Sequence, residues 1–548
     1  MPARAAHACG ALGRYDRDRL LRMAKLLGAG TEFAHEDDSS ALILDRAPVE
    51  WGGGDQRGYG WVEGGARRPP ARLSDWKAAA GAEICGLALD GRRRFLHSAV
   101  NGLAPLYWLE QGGAVYFASR IDPLVRTSPT RLSIDWEAWA SILALRFPAG
   151  DRTPFAEISR LPQFATLRRR FGGARVKEER WPWTEVEPDQ SIGAAAEGAA
   201  AALEEALAPL PGGVVCPLSG GRDSRMLFAV LAREGRVAAA VTVPDDEGEP
   251  REESLAAPVA AAFAVPHERL QGTGDDYPAE WEERARRTEY QMVDHAWLVP
   301  MAQRVAASPA PVPDGFGIDV FASEGRNFYD HETFDMSTPE ASSRAMFDSL
   351  RQYGHAHVAL AESFQEPVVS RAREQYLASV KQFEGHPHQI VFDFYASRSR
   401  RGISTYSTKL VGDRSWAITP GASDPFVRAA LSIDLEEKRR GELYKGILEI
   451  LAPEVAALPS TAEVPRGEPR LPRRWCSPAA QELHRGSLRD GPLAPHLSPE
   501  LQAWIEGPVG VEPNGHLRVG IESVGLLHSW WRRYRDQLRE ADPTELRG

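Results

Sequence analysis

No window of about eighteen consecutive apolar residues occurs in the 548-residue sequence, so no membrane-spanning helix is expected. The first residues also lack the apolar stretch of a secretory signal. Cysteine is scarce. Cys9, Cys85, Cys216 and Cys476 stand far apart, with no paired spacing for a structural metal and no disulfide framework, which fits a reducing cytoplasm. An excess of positive charge is missing too. The 65 Lys and Arg against 76 Asp and Glu leave a net charge of −11, which argues against nucleic acid as a partner. The local basic clusters Arg168–Arg170, Arg398–Arg401 and Trp530–Arg535 read as solvated faces. Absent as well is Gly-Lys-Ser/Thr after a glycine-spaced loop, which excludes the commoner phosphate loop. What remains is a chain with 43% hydrophobic residues, enough for a sizeable core and for two or three domains.

The most informative stretch is Val214–Leu231, VVCPLSGGRDSRMLFAVL. A short apolar run ending at Leu218 leads into Ser219-Gly220-Gly221-Arg222-Asp223-Ser224, and Met226, Leu227, Val230 and Leu231 then recur at helical spacing. Strand, glycine turn and helix follow one another. Free amides and the helix dipole then favour an anion in the turn, and the paired glycines let the backbone wrap it closely. Ser219 and Ser224 add hydroxyls, and Asp223 adds a carboxylate suited to a metal ion on phosphates. The motif resembles the PP-loop of enzymes that split ATP between its α and β phosphates.

Downstream, Val237–Val243 reads as a second strand, followed by the acidic loop Asp245–Glu249, a helix from about Arg251 to Ala264 and a strand near Pro266-His267. Strands alternating with helices predict a parallel, doubly wound sheet that binds ligands at the carboxyl ends of its strands. A helical stretch is expected over Arg287–Ala307, containing Glu289, Asp294 and His295. Pro311–Glu324, PVPDGFGIDVFASE, then offers a second glycine loop: Asp314, Gly315 and Gly317 near the nucleotide, with Asp319 facing Asp223 so that the two share Mg²⁺.

Residues before about 185 read as strands and short helices, with strand runs at Ser40–Leu44, Glu83–Leu89 and Ala114–Ser119. Asn101-Gly102, Pro105-Leu106-Tyr107 and Phe117-Ala118-Ser119 resemble the glutaminase domain of the asparagine-synthetase family. Cys9-Gly10-Ala11-Leu12-Gly13 is similar to that family's nucleophilic start. A nucleophile of this kind needs a free α-amino group, and Met1-Pro2-Ala3 precedes it here, so Cys9 is read as a structural relic. In the second half, Glu253, Ala257, Ala261 and His267 match the family's spacing, with His267 read as a satisfied polar residue. Asp314–Asp319 resembles its pyrophosphate loop. Phe316 and Val320 depart from that loop by replacing acids. Arg466 stands near the position of the family's pyrophosphate-stabilising lysine.

The resemblance implies an α/β fold in two parts: a layered, glutaminase-like (Ntn-hydrolase-type) domain over 1–185, degenerate in its chemistry, and a PP-loop (HUP/Rossmann-like) parallel-sheet domain with helical additions over 186–470. Pro182–Pro188 is the expected linker. Residues 471–548 form a helical extension, expected to be a solvated cap. The implied chemistry is adenylation of a carboxylate by ATP with Mg²⁺, loss of pyrophosphate and transfer to an amine. Leu218, Ser219, Gly220, Gly221, Arg222, Ser224, Val243, Asp314, Gly315 and Gly317 are the implied nucleotide contacts. Asp223 and Asp319 are the metal ligands, and Arg222, Arg225 or Arg466 neutralise charge. The implied substrate is a small molecule or peptide bearing a carboxylate. Lasso-peptide ring closure, with a precursor peptide and its protease as partners, is one outcome. An asparagine synthase fed by glutamine or ammonia is another, and a degenerate ATP-binding scaffold a third. Neither nucleic acid nor membrane is an expected partner.

Overall fold

The computed structural model describes residues 7–53, 56–62, 84–170, 173–294, 296–308, 310–323, 334–352, 356–412, 415–467, 469 and 472–547. Met1-Pro2-Ala3, Glu83, His295 and Glu324 lie outside the described residues.

The first part is a pair of antiparallel sheets. Its strands are β1 (Ala8–Gly13), β2 (Phe33–Asp37), β3 (Ser40–Leu44), β4 (Val49–Gly53), β5 (Gln56–Val62), β6 (Ile84–Asp90), β7 (Arg93–His97), β8 (Tyr107–Gln111), β9 (Ala114–Ala118), β10 (Ile158–Arg160), β11 (Ala165–Arg170) and β12 (Gly173–Glu178). One sheet runs β10-β8-β9-β1-β3-β2 and the other β12-β11-β7-β6-β5-β4. The period-two alternation of strands explains the layering. Ala8, Leu12, Leu42 and Leu44 face Leu87, Leu96 and Leu167 of the second sheet. Cys9, Ala11, Ala41 and Ile43 turn the other way, onto Leu20, Met23 and Ala24 of the helix Arg17–Leu27. Asp16 caps that helix by accepting from Arg19 N at 3.1 Å, and Gly28 closes it at φ 68°.

The second part is built on a parallel sheet. Helix α1 (Ile192–Leu207), capped by Ser191, buries a stripe containing Ala195, Ala199 and Leu203. Strands β13 (Val214–Pro217), β14 (Val237–Thr242) and β15 (His267–Arg269) pair in parallel, in the order β13-β14-β15. Helix α2 (Asp223–Arg233) follows β13, and α3 (Arg251–Ala262) follows β14. Strand β16 (Val312–Pro313) packs beside β13 and pairs in parallel with β17 (Ala417–Ile418). The three-stranded sheet and the β16-β17 pair are separate by hydrogen bonding, and β16 lies beside β13, so the chain departs in opposite directions on the two sides of this seam, as at a topological switch point. Helix α4 (Ile318–Ser323) leaves the loop after β16.

Four expectations are revised. Pro182–Pro188 is not a free linker: Pro182–Glu185 forms a 3₁₀ turn, with Trp181 and Trp183 buried against Phe392, Tyr395 and Phe321. Arg287–Ala307 is not one helix. A helix ends at Arg287, Glu289 and Tyr290 take φ of 55° and 58°, and a new helix starts at Val299 with Pro300 in its first turn. Positive φ at two successive side-chain-bearing residues cannot continue a right-handed helix. The 471–548 region is not a solvated cap either. Trp530, on a helix spanning Gly515–Tyr534, is fully buried against Trp139 and Phe155, and Leu132 N–H donates to Gln537 O at 2.8 Å.

The basic cluster Arg398–Arg401 is buried rather than solvated. Arg400 pairs with Asp151 at 2.9 Å, and Arg401 donates to Arg152 O at 2.6 Å. Among the described residues no helix is long and apolar enough to cross a membrane.

Candidate functional site

The two glycine loops meet at the switch point. The first leaves β13 and enters α2; the second leaves β16 and enters α4. A Cβ placed on Gly315 would lie 2.7 Å from Asp223 Cβ and 3.2 Å from Ser224 N, so only glycine lets the loops touch. Gly317, at φ 91°, packs on the backbone of Gly421.

Asp223 and Asp319 each occupy the first turn of their helix, where the dipole favours an anion. Burial pushes the Asp223 carboxyl well above the usual range, and the nearby Asp319 carboxylate pushes it further. The Tyr444 hydroxyl, from helix α5 (Glu442–Leu451), donates to Asp223 and works against that rise. Burial raises Asp319 to about 6. Asp314 sits beside them, raised by burial, accepting from the Ser407 hydroxyl and from Phe316 N at 2.9 Å.

Two neighbouring carboxylates, each raised by burial, form an acidic site on which the Arg222 guanidinium also acts. Among the described residues no group of three or more His, Cys, Asp or Glu converges to cage a metal. Two hard oxygen donors fit Mg²⁺, which is commonly held by one or two carboxylates together with substrate phosphates. Asp223 and Asp319 are the residues that would hold it.

The first loop is internally braced. Ser219 N–H donates to Ser224 Oγ at 3.0 Å, the two hydroxyls lie 2.9 Å apart, and Gly221 N–H donates to Ser219 Oγ at 3.1 Å. Gly220 N–H donates to Glu252 Oε2 at 2.7 Å, so a carboxylate from α3 engages one amide of the first glycine loop. Leu218 spends its backbone groups on β14, donating from N–H to Val241 O at 2.9 Å and accepting from Thr242 Oγ1 at 2.6 Å. Val243 is buried in the apolar cluster with Val215 and Val241.

The candidate cations separate. Arg222 pairs with Glu463 and keeps part of its side chain exposed. Arg225 is fully buried and donates to the carbonyls of Val455 (3.1 Å), Leu458 (2.7 Å) and Pro459 (2.9 Å), a structural clamp rather than a phosphate ligand. That clamp holds the segment that lays Thr461 over the first loop, where Thr461 N–H donates to Gly220 O at 3.0 Å. Arg466 turns away to Asp245 at 3.5 Å, with 62% of its side chain exposed. It lines a neighbouring cavity instead of the Asp223–Asp319 cleft. His267 is a satisfied polar residue, with Nε2 2.8 Å from Thr242 Oγ1.

Cys9 lies mid-sheet, opposite Ile43 and Ala118, with no exposure, and burial pushes its thiol up to about 12. A thiol so protonated is no nucleophile near neutral pH.

Sequence reasoning passed over Tyr444, Glu252 and a buried network between the two parts. In that network Lys409 Nζ donates to Tyr107 Oη at 2.6 Å and pairs with Glu289, while Gln291 donates to the same Tyr107 oxygen at 3.0 Å. Lys409 and Glu289 expose 2% and 6% of their side chains, so each charge depends on the other. Tyr107 was legible as a motif residue; its partners, far along the chain, were not. No protein-family model matches the chain, and neither does any curated protein.

Proposed function

We propose that the protein is an ATP-dependent amide-forming ligase of the asparagine-synthetase kind. It would activate a carboxylate as an acyl-adenylate, release pyrophosphate, and pass the acyl group to an amine. On this reading the double-sheet part is the glutaminase-like layer and the parallel sheet is the PP-loop domain.

The observation that carries the reading is the meeting of two glycine loops at the switch point, with Gly315 packed on Asp223 and Asp319 alongside. One loop offers amides and hydroxyls at a helix start; the other adds a second carboxylate. Their shared face suits a metal-bound triphosphate. Mg²⁺, when bound, supplies positive charge for the phosphate oxygens. The residues themselves position the nucleotide and balance developing charge, which is most of what such a reaction asks of a protein.

Cys9 supports an amine that does not come from glutamine hydrolysis, because its thiol is buried and protonated. Phe316, buried beside Tyr395 at a ring separation of 6.3 Å, gives the second loop an apolar face where an asparagine synthase has an acid. This favours an acceptor other than ammonia.

The test is calorimetric titration of α,β-methylene-ATP, which cannot be split at the scissile bond, with and without Mg²⁺. Magnesium-dependent binding that disappears in Asp223→Asn supports the reading. Absence of any nucleotide binding to the folded wild-type chain sinks it.

A further inference from the structure

At the carboxyl end of β14 lies a cavity of about 620 Å³. Its near wall is the Asp245–Glu247 loop that leaves β14, one strand from the first glycine loop. Its far wall is helix α6 (Gly515–Tyr534), which contributes Arg518, Val519 and Glu522. The cavity thus opens at the carboxyl ends of the parallel strands, and the C-terminal region closes it.

The lining is unusual in two ways. Five arginines (146, 398, 466, 473 and 518) face five acids (245, 246, 247, 294 and 522), so the cavity has no net sign. A polyphosphate or nucleic acid would call for an excess of arginine, and a simple cation for an excess of acid. Aromatic walls complete it: Trp281, Trp297 and Trp475 are part of the lining. Arg518 lies over the Trp475 ring at 4.4 Å and pairs with Glu247 and, at 3.3 Å, with Glu522.

The ion pairs are graded. Arg146 bridges Asp294 and Glu522 deep in the cavity, at 3.3 Å to the latter, with 16% of its side chain exposed. Near the rim, Arg466–Asp245 is long, at 3.5 Å, with Arg466 mostly in solvent, whereas Arg473, 3.5 Å from Glu247, is tied to Glu512 at 2.9 Å. Long, exposed pairs are weak and exchange partners readily. A ligand carboxylate can take the guanidinium of Arg466 in a forked bond while a ligand ammonium takes the acid left behind. The swap keeps the local charge balanced, which a ligand of a single sign cannot do.

We propose that this cavity is the pocket for the second substrate, a dipolar ligand bearing both ammonium and carboxylate groups on an aromatic body, of the amino-acid or short-peptide class. The volume lies in the range that holds a ligand of drug size. Helix α6 and Trp475, in a region for which the sequence offers no motif, act as the selectivity wall. The ligand's role as a reactant rests on the amide-forming reading; its binding does not.

The experiment incubates the full chain with a randomised tetrapeptide mixture having free termini, separates bound from free by gel filtration, and identifies retained peptides by mass spectrometry. Aromatic peptides with free ends are expected to be enriched. Retention is expected to fall about tenfold for the same mixture acetylated and amidated at its ends. Trp475→Ala and Arg466→Ala are expected to lower retention at least fivefold, the latter at a surface position that leaves the fold intact. No enrichment, equal retention of blocked peptides, or wild-type retention in Arg466→Ala would overturn the proposal. Asp223→Asn separates the two readings. Lost nucleotide binding with peptide retention intact is expected. Nucleotide binding without retention sinks the pocket alone, and retention without nucleotide binding in the wild type sinks the ligase reading alone.

Discussion

Cys9 is fully buried and Asp223 partly so, and the two parts of the molecule treat them in opposite ways. Cys9 sits between β3 and β9 with apolar neighbours, and burial simply holds its thiol protonated. Nothing further is demanded of its surroundings. Asp223 lies against another carboxylate, and both carboxyls are held above the usual range, so ionising the pair is costly even with the Tyr444 hydroxyl and Arg222 working in its favour. Burial by itself therefore says little about function. What separates a silent site from an active one is whether the buried group is left needing a partner that the chain does not supply.

The sharpest way to break this contrast is to neutralise the acids. Asp223→Asn and Asp319→Asn are each expected to weaken Mg²⁺-dependent binding of α,β-methylene-ATP by on the order of a hundredfold, read by calorimetry. Unchanged affinity in either variant would remove it from the metal site. Tyr444→Phe takes away the hydroxyl that orients Asp223 and should weaken the same binding about tenfold, with little change in melting temperature.

A pH test sharpens the contrast without nucleotide. The Asp319 carboxyl is raised from 3.8 to about 6 in the folded chain. Its contribution to stability is thus fully present below 3.8 and lost as pH rises through about 6. In metal-free buffer, Asp319→Asn should therefore stabilise the chain at pH 8 by on the order of 2 kcal/mol and have little effect at pH 4, as measured by urea denaturation. Equal stability of variant and wild type at pH 8 would contradict the picture of an unbalanced acid pair. The smallest effect belongs to the other region. Cys9→Ala should alter denaturation by about 1 kcal/mol, and glutamate release from glutamine should be as low in wild type as in the variant. Glutamate release that depends on Cys9 would reverse the comparison.

Local signals were the readable ones. The run from Val214 to Leu231 carries its strand, turn and helix in consecutive residues, and the structure forms them as β13, the glycine loop and α2. The apolar run Ser40–Leu44 marked a strand, which the structure forms as β3 and covers on both faces. That a second glycine loop would bring Asp319 towards Asp223 was an expectation; the packing of Gly315 on Asp223 was not legible in the sequence. Features decided by distant parts of the chain were opaque. Helical spacing continues past Arg287, but the Glu289 carboxylate is wanted by Lys409 and by Ile121 N–H, and the backbone turns out of the helix to deliver it. Arg225 looked like a phosphate cation because it follows the loop; three carbonyls near residue 458 claim it instead. Arg466 was placed by its distance from Leu458-Pro459, and spacing along a loop does not say which way a long side chain turns.

The burial of Trp530 against Trp139 also bears on how the chain folds. The helix Trp136–Leu145 cannot finish its core until residues nearly four hundred positions later have been made, and the bridge between Leu132 and Leu538 waits on the same event. During synthesis the early sheets must therefore persist with an open apolar flank. Such long-range closure is slow, and a chain released before Trp530 would present that flank to any neighbour. Removing residues 515–547 should then produce aggregation rather than a shorter soluble protein, which makes the helix Gly515–Tyr534 a condition for closing the core around Trp139.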